Sequence, residues 1–379
     1  MIADACTDAD REYMQRALTL AARGLYTTDP NPRVGCVLVA GEQVVGEGFH
    51  QRAGEPHAER HALAQAGDRA RGATCYVTLE PCAHTGRTGP CAEALVAAGV
   101  SRVVAAMQDP HDKVAGKGLE RLRAAGIDVA CGLMEARARA LNPGFIRRME
   151  TGRPFVRVKL AMSLDGRTAM ASGESKWITG AEAREQVQFL RARSSAIVTG
   201  VGTVLADDPA MTVRPDQWRS AEYPVDPVRQ PLRVVLDRSL RTPPGANIIS
   251  GPGETLLATG MATDSASAAA LCAAGAQVVQ LPASGSGVDL AQLLMELAAR
   301  ECNEVLVEAG PTLAAAFVSD DLVDELVVFM APALLGSNAR PLMLLDQLDT
   351  MADRITWQFA DVARVGDDVC LTLTRARQA

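Results

Sequence analysis

Two α/β domains in tandem are what this sequence predicts, and three observations carry that reading. At 379 residues the chain exceeds a single ordinary core and suits two. Short apolar runs rich in β-branched residues alternate with segments of helical periodicity, the pattern of sheets covered by helices. One stretch rich in structure breakers, Thr151-Gly152-Arg153-Pro154, interrupts the alternation and marks a linker between residues 1–150 and 151–379.

In the first domain Met14, Leu18, Ala21, Ala22 and Leu25 recur at helical spacing, so a helix over Asp8–Leu25 opens the fold. Val34–Val39 and Gln43–Phe49 read as strands joined by a tight Ala40-Gly41-Glu42 turn. His57–Ala66 reads as a helix beginning at His57 and stopping at Gly67. Ala73–Leu79 is a strand running into Glu80-Pro81-Cys82. Helix Cys91–Ala98, strand Arg102–Met107, helix Leu119–Ala125 and strand Ile127–Ala130 follow. Helix Glu135–Ala140 then leads into Asn142-Pro143-Gly144 and a basic stretch.

The second domain repeats the alternation. Strands are expected at Phe155–Ala161, Ala196–Thr199, Arg233–Leu236, Thr255–Thr259, Gln277–Leu281 and Glu304–Glu308, with further ones near Glu325–Phe329, Ile355–Val362 and Val369–Thr374. Helices are expected at Ala181–Ala192, Leu290–Arg300 and Thr312–Val318. Ala262–Ala276 reads as a surface helix and Ala283–Gly287 as a loop. No internal repeat relates the halves.

Composition narrows the function. Hydrophobic content of 48% with 22% charged residues is that of a soluble globular protein, and no stretch approaches a membrane span. The acidic start, Met1 to Leu20, lacks an apolar signal core, and the expectation is a cytoplasmic protein. Nine scattered cysteines do not form a disulfide framework. Residues 1–150 carry as many basic as acidic side chains, so the net charge of −7 belongs to the remainder. Neither half has the basic footprint of a nucleic-acid partner; a small molecule fits better.

The most specific chemistry lies in His57-Ala58-Glu59, then Pro81-Cys82 and Cys91. One imidazole and two thiolates are the ligand set of a catalytic zinc whose fourth position is left to water. Glu59 is not needed as a ligand and is free to move protons. An H-x-E followed by P-C and a further Cys is the mark of zinc deaminases, which expel ammonia from an amidine-like ring carbon. Placing Cys91 at a helix start favours its thiolate. The competing reading is a closed structural zinc with His84 or His61 as fourth ligand, although paired short Cys spacings are usual there. Residues 83–90 separate the cysteines, a longer interval than the C-x-x-C of nucleotide deaminases, and this loop, with His84, sits beside the metal to help bind substrate. Asn31-Pro32-Arg33-Val34-Gly35 reads either as a plain turn or as a pocket wall with the Asn31 amide on a sugar or ring edge.

In the second half the residues alone say less. Glu308-Ala309-Gly310-Pro311-Thr312 ends a strand and opens a helix, where backbone N–H groups receive phosphate. Gly200-Val201-Gly202-Thr203 also follows a strand, without a full dinucleotide fingerprint. Each also reads as a simple strand–helix turn, and Arg191 and Arg214 also read as solvated surface arginines.

Taken together, these motifs resemble the bifunctional deaminase–reductase family of riboflavin biosynthesis. The likeness covers nearly the whole chain: Asn31–Gly35, His57-Ala58-Glu59, the run from Pro81 to Thr88, Lys159-Leu160-Ala161-Met162-Ser163-Leu164-Asp165-Gly166, Asp207-Asp208-Pro209 and Glu308–Leu313. Gly89 replaces a proline usual in the family's loop, and Ala309 a usual glycine. The resemblance implies a cytidine-deaminase-like three-layer α/β/α domain followed by a dihydrofolate-reductase-like α/β domain. It implies zinc and NADPH, a pyrimidine ribotide substrate, homo-oligomers, and two consecutive reactions. The first deaminates 2,5-diamino-6-(5-phosphoribosylamino)pyrimidin-4-one, and the second reduces the ribosyl group to ribityl. It places Ser175, Arg191, Met211, Arg214 and Glu308 around the substrate, with the arginines on its phosphate. It places Ala161, Trp177, Thr203, Asp207 and the 310–316 loop, with Gly310, Pro311, Thr312 and Leu313, around NADPH. Lys159 and Asp207 are the polar groups expected to serve the reduced carbon. Two rival functions remain: a deaminase with a non-catalytic second domain, and a zinc-stabilised binding protein.

Overall fold

The computed structural model describes residues 6–83, 89–111, 114–214, 217, 228–285 and 287–375. These fall into two compact units, one of residues up to Gly152 and one from Arg153 onward.

The first unit runs α1 (Asp8–Ala22), β1 (Gly35–Ala40), β2 (Gln43–Phe49), α2 (Ala58–Ala66), β3 (Thr74–Val77), α3 (Cys91–Ala98), β4 (Arg102–Ala105), α4 (Lys117–Ala124), β5 (Asp128–Cys131), α5 (Glu135–Leu141) and α6 (Pro143–Thr151). Its sheet has the order β2-β1-β3-β4-β5, antiparallel at β2-β1-β3 and parallel from β3 to β5. Both faces are covered, so β1 and the central strands β3 and β4 are buried along nearly their whole length and do not alternate. Cys36, Leu38, Cys75 and Val103 pack under α2, α3 and α4, while Val37, Val39, Tyr76 and Val104 pack under α1, α5 and α6. Three layers result.

Glycine in β2 lets α2 lie directly on the sheet. A Cβ at Gly46 would stand 2.2 Å from the Ala62 carbonyl oxygen, and one at Gly48 would stand 2.4 Å from His61 Cβ. The helix that opens at His57 therefore sits at backbone contact distance from β2.

The second unit continues with β6 (Phe155–Ser163), β7 (Arg167–Ala169), α7 (Ala181–Arg193), β8 (Ala196–Gly200), α8 (Val201–Asp207), β9 (Leu232–Leu236), α9 (Asn247–Ser250), β10 (Thr255–Thr259), α10 (Ala266–Ala273) and β11 (Gln277–Gln280). Then come β12 (Ala283–Ser284), β13 (Gly287–Val288), α11 (Leu290–Ala299), β14 (Glu304–Val307), α12 (Pro311–Ser319), β15 (Glu325–Ala331), β16 (Arg340–Pro341), β17 (Trp357–Val365) and β18 (Asp368–Arg375). Nine strands form one sheet in the order β11-β10-β9-β8-β14-β6-β15-β18-β17. It is parallel as far as β15, and β18 and β17 extend it as an antiparallel hairpin. Helices α11 and α12 cover one face around Val156, Val198 and Val305. The other face is covered by α8, α9 and α10 around Ile197 and Leu306, and by α7 against Val327 and Phe329.

Four helices depart from the sequence expectation. Pro143 and Gly144 do not break the chain: proline stands in the first turn of α6, where its missing N–H costs nothing, and Gly152 at φ 71° ends the helix. The segment after Gly200 is α8, too short to show periodicity, and Asp208 stops it at φ 42°. Asp208 then receives the backbone N–H of Asn247 at 2.8 Å and so starts α9. Ala262–Ala276 is helical only over α10, which Ser265 caps, and the segment expected as a loop at Ala283–Gly287 pairs β12 with β13.

Candidate active sites

Helix α2 begins at His57, its N-cap, and carries Glu59 in its first turn. Cys82 follows β3 after the Glu80-Pro81 turn, and Cys91 opens α3. The His57 Nδ1 atom stands 3.6 Å from Cys82 Sγ and 3.4 Å from Cys91 Sγ. All three ligand atoms lie within 4.8 Å of one another, and no other such group exists among the described residues. His61, the alternative fourth ligand, is outside it, and His84 lies outside the described residues.

The electrostatics suit a soft divalent cation. A hydrogen bond from Cys91 is foremost in holding the Cys82 thiol down at about 4, with His57 and the Cys91 N–H (3.3 Å) helping against burial. The shared proton stays with Cys91, whose thiol is raised by Cys82 and by burial. Metal binding displaces such a proton, because only deprotonated thiols ligate. The hydrogen bond to Cys82 raises His57. Glu59 is 3% exposed, and burial pushes its carboxyl above the ordinary glutamate range. Its Oε2 atom is buried without a hydrogen-bond partner. Two sulfurs, one nitrogen and a neighbouring carboxylate with one uncommitted oxygen fit a zinc with an open position, and argue against a closed four-ligand site.

Two residues that sequence reasoning passed over support this centre. His50 packs edge-on against the His57 ring with centroids 5.4 Å apart. Its Nδ1 faces the Pro56 carbonyl at 3.2 Å, and its Nε2 faces the Asn31 amide nitrogen at 3.1 Å. Burial lowers its pKa, so it stays neutral and accepts from Asn31. Asn31 is therefore tied to the site through His50. Glu80 is buried and accepts from the N–H groups of Asp109 (3.1 Å), Gly116 (2.9 Å) and Gly118 (2.8 Å), fixing the turn that carries Cys82. Its place directly before Pro81-Cys82 was the only signal.

In the second unit, neighbouring strands β8 and β14 send their helices to opposite faces of the sheet, α8 to one and α12 to the other. Their carboxyl ends thus frame a crevice of the kind open α/β sheets use for ligands. Gly200 caps α8 and Gly310 caps α12. A Cβ on Gly200 would lie 3.5 Å from Leu313, so both helix starts are adjacent, while one on Gly310 would meet nothing within 4 Å. The first-turn N–H groups there are free to receive an anion, and Thr203 stands in the first turn of α8. This donor set fits the phosphates of NADPH. Trp177 is 67% exposed and stacks under the Arg184 guanidinium at 4.7 Å, and Asp207 is exposed at the end of α8. Ser175 lies in the same loop as Trp177.

The polar residues converge on Glu308. Arg191 grips its carboxylate through both oxygens, at 2.6 and 2.9 Å, and also reaches the Thr212 carbonyl and the Met211 sulfur. Burial opposes ionisation of Glu308, but Arg191, Lys159 and Arg214 together bring its pKa below the ordinary value. Burial lowers Lys159, with Glu308 opposing and Arg191 assisting. Lys159 and Ala161 occupy alternate positions of β6 and so share a face. Arg191 has its fork already committed, whereas Arg214 is exposed.

Comparisons match known proteins over both units. Residues 7–107 match the cytidine and deoxycytidylate deaminase zinc-binding region, and residues 154–371 match the RibD C-terminal domain. The riboflavin biosynthesis protein RibD of Escherichia coli is 53% identical over 97% of this chain and 100% of its own length. That of Haemophilus influenzae is 50% identical over 96% of this chain and 97% of its own. The structure of Acinetobacter baumannii RibD, form 1, aligns with a TM-score of 0.90 at 46% identity, covering 97% of this chain and 99% of that one. The Thermotoga maritima diaminohydroxyphosphoribosylaminopyrimidine deaminase/5-amino-6-(5-phosphoribosylamino)uracil reductase aligns at 0.84 with 30% identity, over 97% and 99%. The first unit is thus a cytidine-deaminase-like domain using zinc, and the second a dihydrofolate-reductase-like reductase domain using NADPH. With both domains matched in order and in full, the chain belongs to the RibD family of bifunctional deaminase–reductases of riboflavin biosynthesis.

Proposed function

We propose that the two sites act in turn on one substrate. The first deaminates 2,5-diamino-6-(5-phosphoribosylamino)pyrimidin-4-one; the second reduces the ribosyl group of the product to ribityl. The observation that carries the reading is the His57–Cys82–Cys91 cluster beside a buried carboxylate with an uncommitted oxygen.

Zinc, when bound by these three residues, supplies a Lewis acid that acidifies water. Glu59 moves the protons: it carries one from the attacking water to the ring nitrogen, then a second from the new hydroxyl to the amino group, which departs as ammonia. Burial raises the Glu59 carboxyl pKa, the direction that suits a group that both takes and returns protons. Asn31, held by His50, presents its amide to the substrate edge.

At the second site NADPH supplies the hydride, and the protein aligns it. Thr203 and the 310–313 turn hold phosphate, and Ala161 and Trp177 flank the cofactor. Arg191 keeps Glu308 ionised and oriented, Arg214 takes the substrate phosphate, and Lys159 delivers a proton to the opening sugar. Ser175 and Met211 line the substrate, and Asp207 stands at the cofactor end.

The charge balance supports a small-molecule partner, free thiols such as Cys131 and Cys272 support a reducing cytoplasm, and exposed Phe359 and Val362 on the edge strand β17 support a homo-oligomer. Among the described residues no helix is long and apolar enough to cross a membrane.

Glu59→Gln tests the deaminase reading. Zinc content measured by elemental analysis should stay at the wild-type level while ammonia release falls by about a hundredfold or more. Surviving ammonia release would remove Glu59 from the chemistry.

A further inference from the structure

The segment 211–214 is held far more firmly than an exposed arm requires. Met211 is 5% exposed and adopts φ 50°, a left-handed conformation that a non-glycine residue holds only under constraint. Three side chains then seize the next three residues. Arg191 donates to the Thr212 carbonyl at 2.9 Å. Gln230 pairs with Val213 as a strand would, accepting from its N–H at 2.9 Å and donating to its carbonyl at 3.0 Å. Gln188 accepts from the Arg214 N–H at 2.9 Å. Gln188 is itself 4% exposed and lies one helical turn before Arg191 on α7. The Arg214 backbone is thereby fixed while its side chain stays exposed and within electrostatic reach of Glu308.

We propose that Gln188 and Gln230 are positioning residues that aim Arg214 at a phosphate monoester. The inference rests on the reading above that Arg214 takes the substrate phosphate. A long guanidinium arm loses less rotational freedom on binding when its root cannot move, so the mount contributes to affinity without touching ligand. Helix α7 then serves both ends of the substrate, with Arg191 orienting Glu308 and Gln188 orienting Arg214.

The test uses the full-length, zinc-loaded enzyme and the deaminated phosphorylated substrate with NADPH. Gln188→Leu should raise KM by about tenfold and leave kcat within about twofold. The constant for competitive inhibition by inorganic phosphate should rise in parallel. Gln188→Glu keeps an acceptor for the Arg214 N–H and should restore most of the loss. In an Arg214→Ala background Gln188→Leu should add nothing, because the group it aims is gone. Unchanged NADPH affinity in each variant verifies that the unit is folded. Gln230→Met, at a half-buried position that tolerates replacement, is the second variant, with the same KM and phosphate outcomes expected. An unchanged KM in both glutamine variants, or an equal loss with and without Arg214, overturns the proposal while leaving the phosphate role of Arg214 standing. An unchanged KM in Arg214→Ala overturns both.

Discussion

Lys159 shows how one side chain acquires a role from its surroundings. Burial lowers its pKa, Glu308 opposes the shift and Arg191 adds to it. A lysine so placed gives up its proton more readily than one in water, whose pKa is about 10.4. If it is the proton donor in reduction, the rate falls as pH rises through its lowered pKa. Lys159→Arg replaces a titrating cation by one that stays charged and should abolish this alkaline limb. A limb at the same pH in Lys159→Arg would assign it to another group; kcat against pH decides. His57, Cys82 and Cys91 could be grouped in the sequence because their spacing suits a ligand set, with Glu59 placed beside it. His50 and Glu80 were not, since their meaning lies in contacts with Asn31 and with residues 109–118. Arg191 was legible as a cation but not as the partner of Glu308, which is 117 residues away.

At the scale of elements, the seat of α2 on β2 decides where His57 and Glu59 stand. Gly46→Ala puts a methyl 2.2 Å from the Ala62 carbonyl oxygen, so the helix must lift. Overpacking of this kind costs about 1–3 kcal/mol, and thermal denaturation should register it. Zinc affinity should fall by about tenfold as the ligand on the helix shifts, read by competition with a chelating dye. Full stability with full zinc affinity would mean that α2 is not held by this contact. Strands and long helices were readable because burial on both faces, or a single apolar stripe, prints a period on the sequence. Helices α8 and α9 are only 7 and 4 residues long and print none. Helix α6 was hidden by Pro143 and Gly144, which break a helix interior yet open one comfortably.

For the whole molecule, each unit has its own sheet and its own apolar clusters. The alternation of elements told that there were two α/β domains, but not that β14 would insert between β8 and β6, because strand order is set by long-range packing. That insertion creates the crevice where α8 and α12 diverge. Since the metal cluster and the crevice belong to separate cores, removing the metal should silence one reaction only. Treatment with a strong chelator should abolish ammonia release and leave NADPH oxidation on the deaminated intermediate within about twofold. Loss of both together would show that the second unit depends on the metal. The central claim is that one chain carries out both reactions in order. Its most direct test supplies the diaminopyrimidine phosphate with NADPH and follows ammonia and NADPH separately. Equal amounts of ammonia released and NADPH consumed are predicted, with ammonia leading; ammonia released while NADPH stays constant would contradict it.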